Sequence, residues 1–572
     1  MKRITWAIIT FILFIASSCS KSFLEQTPQG SLTSSQLATP DGVENALVGA
    51  YGLLNGNISG TWGNYAPAPS MWLFGDVAAD NAHKGSVSTD QSYMNEIEHH
   101  TPTTTNDNLS ITWKNYYEGI IRCNTTLSLL AEVQAGSGDK LTDDSALVVE
   151  AEAKMLRAHY YFLLYRLFVN IPYIDETTST ADAAATTNDV DVLPKIVEDL
   201  QFAVENLPDD HPEGDVGRVN KIAAEAYLGK VYLYEEEYTE ALELFETVIA
   251  AKADLTTMAF EDNFNISTEN GEESIFAVQH VINSDGSGED ANVGDMLSGF
   301  YGSAPITCCG FSQPSIDLVN AYKVDADGLP YLDDSYRDDP YTSDLLLTGD
   351  AKTNYAVDQT IAFDPRLDYT VGRRGVPFRD WGTMAGDDWI RDPSYGGPFV
   401  GYKSQINEDD FSANTVSGTS EINGLNVNII RLADVYLMAA ECAVETGDLS
   451  SALTWVNAVR SRAATLPEIT VDGSAAADYN VGLYPSFASA DYARTAIRFE
   501  RRLELAMEGH RFFDLVRWGI AKTTIESYSS FEGTYLSNNA DITFDESIDT
   551  YYPIPQTEID ESNGALTQNT GY

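Results

Sequence analysis

The chain has 572 residues, with 34 Lys and Arg against 86 Asp and Glu for a formal net charge of −52, and 43% of it is hydrophobic. That apolar content excludes a disordered chain, and the length gives one large domain or two to four ordinary ones. The acidity excludes a nucleic-acid enzyme, because displacing counterions from phosphates takes clustered Lys and Arg.

Lys2 and Arg3 precede an apolar run at 4–16, then Ser17, Ser18 and Cys19, in the order of a charged n-region, an h-region and a cleavage site. The run is 13 residues long, short of the roughly 20 that a membrane-spanning helix takes. Residues 1–18 therefore read as a signal peptide. Small residues before a cysteine resemble a bacterial lipoprotein signal with Cys19 as the lipidated first mature residue, although Ala16 stands where Leu is common. Losing Lys2 and Arg3 leaves the exported chain more acidic still. Residues 19–40 are polar, with Pro28 and Gly30, and read as a lipidated tether. The other cysteines, Cys123, Cys308, Cys309 and Cys442, are too few for a disulfide scaffold. No zinc-spaced partners accompany the adjacent Cys308 and Cys309, so both are expected as buried or loop thiols and no metal site is expected.

Pro40-Asp41 opens a helix whose apolar positions Val43, Ala46, Leu47, Ala50, Tyr51 and Leu54 recur every three or four residues until Gly56. Trp113, Tyr116, Tyr117, Ile120, Ile121, Leu127 and Leu130 form a second such stripe. Ala153, Leu156, Ala158, Tyr160, Tyr161, Leu164 and Leu167 form a third, ending before Pro172. Over 221–250, Leu228-Gly229, Tyr232, Ala241 and Phe245 match the small and large positions of a tetratricopeptide helix pair. A shift of 211 positions places Tyr436, Ala440, Ala443, Ala452 and Val456 on the same framework, with Gly447-Asp448 at the turn. Residues 252–312 and 324–428 are rich in Gly, Asp, Asn, Ser and Pro, with short apolar pieces such as 275–281 that suit small strands. Long loops in a compact protein carry function or lack order, and Phe300, Tyr301, Trp381, Trp389 and Tyr395 favour ordered binding loops.

Three further stretches complete a pattern: Arg157-Ala158-His159-Tyr160-Tyr161 with Ile171-Pro172, Phe499-Glu500-Arg501-Arg502-Leu503-Glu504-Leu505, and Gly509-His510-Arg511-Phe512-Phe513-Asp514-Leu515 running to Trp518-Gly519. Together with Phe23-Leu24-Glu25 soon after Cys19 and Tyr552-Pro553-Ile554-Pro555 near the end, the chain resembles the SusD/RagB family over essentially its whole mature length. The resemblance implies a mostly α fold, with tetratricopeptide-like helix pairs forming a right-handed helical scaffold, long irregular loops and a few short strands. It divides the chain into the signal peptide 1–18, the tether 19–40 and one domain over 41–572, with scaffold at 41–251 and 430–520 and a loop-rich ligand-binding region at 252–429. It further implies a lipoprotein anchored in the outer membrane and facing outward. Such a protein is not an enzyme; it binds oligosaccharides, or peptides in some branches, and serves a SusC-like TonB-dependent transporter.

Sugar binding needs rings for apolar sugar faces and polar groups for hydroxyls, and the chain's 31 Tyr, 23 Phe and 8 Trp supply rings freely. Two segments meet the demand: one with Trp62, Tyr65, Trp72, Asp76, Asp80, Asn81, His83 and Tyr93, the other the 284–307 loop with Asn292, Phe300 and Tyr301. The family's ligand loops correspond to about 81–93 and to this second loop, although His83 and Lys84 stand near the place of its stacking Trp. Asn81, His83, Tyr93, Phe300, Tyr301 and Trp389 are the expected ligand-binding residues, with Trp72 expected in the core. The 498–508 charges are expected to form ion pairs, and His159 and His510 to pack rather than act as bases. No nucleophile triad, HExxH or phosphate loop accompanies them. No cofactor is expected; the acidic stretch 325–339 has the chemistry of a structural calcium site without EF-hand spacing. A glycoside hydrolase, with two carboxylates across a cleft, and a tetratricopeptide-type protein-interaction scaffold, using the helical concave face, are the other classes.

Overall fold

The computed structural model describes residues 37–58, 65–211 and 214–572. The signal peptide, Cys19, most of the 19–40 tether and Trp62 lie outside the described residues. Helix α1 (Pro40–Tyr51) starts where Thr39 accepts the Gly42 amide, and it turns Val43, Leu47 and Ala50 inward. The short strand β1 (Ala82–Gly85) and helix α2 (Ser92–Glu98) follow. Helices α3 (Asp107–Ala135) and α4 (Asp143–Phe168), capped by Asn106 and Thr142, then lie side by side. Gly119 permits this approach, because a Cβ there would stand 2.6 Å from the Tyr160 ring. Arg157 ties α4 to α5 (Leu193–Asn206) by donating to both Asp199 carboxylate oxygens at 2.7 and 2.8 Å.

Both expected helix pairs form. In α6 (Lys221–Tyr234) and α7 (Tyr238–Ala251), Gly229 lies beneath Phe245, 2.7 Å from where a Cβ would stand. Strands β2 (Ser274–Val278), β3 (Phe311–Pro314) and β4 (Val427–Arg431) belong to the segment that follows. The second pair, α8 (Leu432–Thr446) and α9 (Leu449–Ala463), turns at Gly447 with φ 89°, and Asp448 caps the amides of Ser450 and Ser451. Helix α7 packs on α8, so the pairs are spatial neighbours although a long insertion separates them. That insertion leaves and returns through the antiparallel β2–β4 pair, whose register runs from Ser274↔Arg431 to Val278↔Val427. It carries its own core of Phe260, Phe300, Phe378, Trp389 and Tyr402. The chain ends with α10 (Ala490–Leu505), α11 (Arg511–Arg517) and α12 (Ala521–Glu532). The fold is thus mostly α and tetratricopeptide-like, and the sheets among the described residues are all two-stranded. No described helix is long and apolar enough to cross a membrane.

Buried ion pairs join the insertion to the scaffold. Glu504 accepts from Arg366 at 2.9 Å, from Arg431 at 2.6 Å and from Arg462. Glu273, just before β2, pairs with Arg431 at 2.7 Å and with Arg462 at 2.5 Å. Arg501 holds Asp434 and Asp514 at 2.7 and 3.0 Å, and Arg502 holds Asp317 and Asp80 at 2.7 and 3.1 Å. Burial works to raise the Glu504 carboxyl, but the three guanidinium groups hold it well below the usual carboxylate range. The Gly509 motif completes the junction: a Cβ on Gly75 would stand 2.1 Å from the Gly509 carbonyl oxygen, so two backbones meet there without side chains.

Candidate functional site

Strand pairing brings together two segments far apart in sequence. β1 runs antiparallel to β3, Gly85 opposite Phe311, and the Ser86 amide donates to the Gly310 carbonyl at 2.5 Å. Residues 86–93 therefore emerge beside the 299–310 loop. A third segment, after Trp389, completes the cluster. Arg391 donates to Ser86 Oγ at 2.8 Å, pairs with Asp90, and lays its guanidinium over the Tyr301 ring at 5.2 Å from the centroid.

Two of the expected contact residues stand in solvent. Tyr301 is 42% exposed and Tyr93 is 40% exposed at the start of α2, close to the Asp90 that Arg391 holds. The other four are buried. Asn81 is 1% exposed and bridges Asp76 at 2.9 Å and Arg502 at 3.2 Å. His83 is fully buried between Glu532 at 2.7 Å and Glu98 at 3.4 Å. Burial acts against its charge, yet the two carboxylates carry its pKa up to about 9, so it is a structural cation. Phe300, 1% exposed, and Trp389, 5% exposed, stack on each other with centroids 5.3 Å apart. Their faces are consumed by the insertion core rather than offered to a ligand. Trp72 lies in the core as expected. Trp381 is half-buried and donates to the Ile406 carbonyl at 2.8 Å.

Composition did not single out two residues that build the site. Lys84 is buried and donates to the carbonyls of Val87 and Asp90 at 2.8 and 2.7 Å, with Phe311 and Tyr395 flanking its ammonium. Burial lowers its pKa to about 8. Arg391 is the other, and its signal was available: a lone cation in the acidic run 386–392. The cluster thus offers exposed phenol rings, a guanidinium and nearby carboxylates on a pinned backbone, which suits packing against pyranose faces and hydrogen bonding to hydroxyls.

The cysteine pair is also corrected: Cys308 and Cys309 are joined as a disulfide, while Cys123 and Cys442 are buried free thiols. No cluster of three or more His, Cys, Asp or Glu suited to a metal occurs among the described residues. In the acidic stretch, Asp325 accepts the amides of Asp327 and Leu329 and Asp333 accepts that of Ser335, so these carboxylates close their own turns. Two apolar grooves lie elsewhere, one of about 480 Å³ beside Trp113 and Ile121 and one of about 610 Å³ beside Val48, Val216 and Val281.

A helical scaffold that presents a loop platform of exposed rings defines a binding protein of tetratricopeptide-like build. The chain belongs to the SusD family, whose model matches residues 272–572, and a second family model, described as starch-binding associating with outer membrane, matches 22–233. SusD-like protein P25 of Formosa agariphila is 27% identical over 542 residues, covering 91% of this chain and 90% of the relative. A SusD-like protein of Bacteroides ovatus is 25% identical, covering 91% and 83%. Among solved structures, surface glycan-binding protein A of Bacteroides thetaiotaomicron, in complex with laminarihexaose, superposes with a TM-score of 0.65 at 21% identity, covering 93% of this chain and 99% of that one.

Proposed function

We propose that this protein is a non-enzymatic lipoprotein, anchored through Cys19 at the outer membrane and facing outward, that captures an oligosaccharide and passes it to a SusC-like TonB-dependent transporter. The observation that carries the reading is the convergence of the 86–93 and 299–310 segments, which leaves the Tyr301 ring exposed beneath Arg391, with Tyr93 exposed three residues after the Asp90 that Arg391 holds. Support comes from the relative that holds laminarihexaose and from a second similar structure named as a laminarin-binding SusD-like protein. A neutral glycan suits this face. The Arg391 guanidinium is paired to Asp90, Asp388 and Asp392 lie near it in sequence, and a net charge of −52 repels polyanions.

The test is calorimetric titration of residues 20–572 with laminarihexaose and a panel of neutral, sulfated and uronate oligosaccharides and peptides, with product analysis alongside. Saturable binding of a neutral glycan without cleavage, weakened by Tyr301→Ala, is the expected result. Binding of peptides alone would give the site to the peptide-importing branch, and released sugar products would make the protein a hydrolase.

A further inference from the structure

Four backbone hydrogen bonds fold the 297–310 segment onto itself. Phe300 donates to Ile306 at 2.9 Å, Cys308 to Phe300 at 2.7 Å, Cys309 to Leu297 at 3.4 Å and Gly310 to Gly299 at 2.8 Å. This arrangement sets the Cys308–Cys309 disulfide directly across from Gly299 and Phe300, next to the residue whose ring stands in solvent, Tyr301. The approach leaves no room for a side chain at Gly299, where a Cβ would stand 2.1 Å from the Cys308 carbonyl oxygen. On its other flank, a Cβ on Gly310 would lie 3.5 Å from the Arg391 Cβ and 4.0 Å from the Ser86 Cα. The disulfide therefore adjoins Gly310, which flanks Arg391 and Ser86; both cysteines are only half-buried, with Cys309 packed in part against the main core.

A disulfide between adjacent residues closes a small ring of two sulfurs, two Cβ methylenes and backbone. Its outer surface is apolar and polarizable, with no strong donor or acceptor. We propose that the Cys308–Cys309 ring is a second apolar contact surface of the ligand site, packing against the C–H face of a pyranose next to the one that Tyr301 covers. The inference rests on the glycan-capture reading above. An exported protein meets surroundings in which such a bond persists. The ring also has no charge to repel a neutral sugar and no proton to lose.

The first measurement is peptide mapping of the folded chain after alkylation, which should leave Cys308 and Cys309 unlabelled and joined; free, alkylated thiols there would overturn the proposal. The second is calorimetric titration, using laminarihexaose or whichever panel glycan binds, on the native chain, Tyr301→Ala and the double variant Cys308→Ser, Cys309→Ser. Each variant should lose about tenfold in affinity, the scale of one stacked apolar face. The third uses a phosphine reductant on the native chain, where saturating glycan should slow reduction of the 308–309 bond severalfold. A disulfide that only braces the loop from beneath would not be covered. Loss of binding in Tyr301→Ala, with native affinity in the double variant and no protection by glycan, overturns the disulfide contact and leaves the capture reading standing. Native affinity in Tyr301→Ala, or no panel glycan bound at all, overturns both.

Discussion

Tyr301 and its neighbour Phe300 show what decides a role for a ring in this protein. Phe300 stacks on Trp389 and is 1% exposed, whereas Tyr301, one position on, is 42% exposed beneath Arg391. Tyr301→Ala is therefore expected to lower glycan affinity about tenfold with an unchanged unfolding midpoint, and Phe300→Ala to cost about 3–5 kcal/mol of stability. Calorimetry and urea denaturation of both variants separate the two effects. Lys84 belongs to neither type. Its ammonium supplies donors to Val87 and Asp90, the carbonyls that set the 86–91 turn, and Asp90 in turn holds Arg391. Lys84→Met should leave these carbonyls short of a donor, at about 1–3 kcal/mol, and weaken glycan binding through the displaced Arg391. Native affinity in Lys84→Met, measured by the same titration, would show that the turn holds without it.

Among the elements, the junction of α11 with the helical turn at Gly75 is a close backbone-to-backbone approach. Gly509 has φ 74°, and a Cβ there would stand 2.0 Å from the Ser70 carbonyl oxygen. Gly509→Ala meets both a left-handed backbone and a backbone clash, so it should lower stability by more than about 2 kcal/mol; an unfolding midpoint equal to that of the parent chain would refute this. Such junctions explain which parts of the fold were legible in sequence. The helices α1, α3, α4 and both tetratricopeptide-like pairs were readable, because burying one face imposes a period of 3.6 and Gly229 under Phe245 imposes a small–large pair. The charged run in α10 was readable as ion pairs because arginine recognises carboxylates bidentately. The site was legible only as segments. Its key contact, Arg391 to Asp90, spans 301 positions, and nothing periodic marks a loop tyrosine as exposed. Asn81 and His83 have residue types suited to a ligand, yet burial gave their polar atoms protein partners, and the adjacent cysteines carried no local mark of being joined.

At the scale of the whole molecule, the 86 acidic residues outnumber the 34 basic ones, and eight arginines among the described residues, from Arg157 to Arg502, are buried with carboxylates around them. This fixes how stability depends on pH. Glu504, Asp434, Asp514 and Glu508 are held below their ordinary values by buried arginines and lysines that overcome desolvation. Their contribution is present above the unfolded carboxylate range and lost as pH falls through and below it. His100, His159 and His510 are pushed down to about 3 and His280 to about 4, chiefly by burial, so they remove stability as pH falls from 6.5 toward those values. Asp76 and Glu269 act in the opposite sense. Burial raises them to about 6 and about 7, so the folded state gains protons, and stability, as pH falls through those values. The depressed histidines and the raised carboxyls act in opposite senses between roughly pH 7 and 4.5, while below about pH 4 the histidines and the arginine-bound carboxylates act together. The urea midpoint should therefore fall most steeply below about pH 4. Glu504→Gln leaves Arg366, Arg431 and Arg462 short of a charge, so it should cost about 3–5 kcal/mol at pH 7 and shallow the acid limb. A midpoint that falls no faster below about pH 4 than above it, with Glu504→Gln running parallel to the parent chain, would place the acid-sensitive groups outside this network.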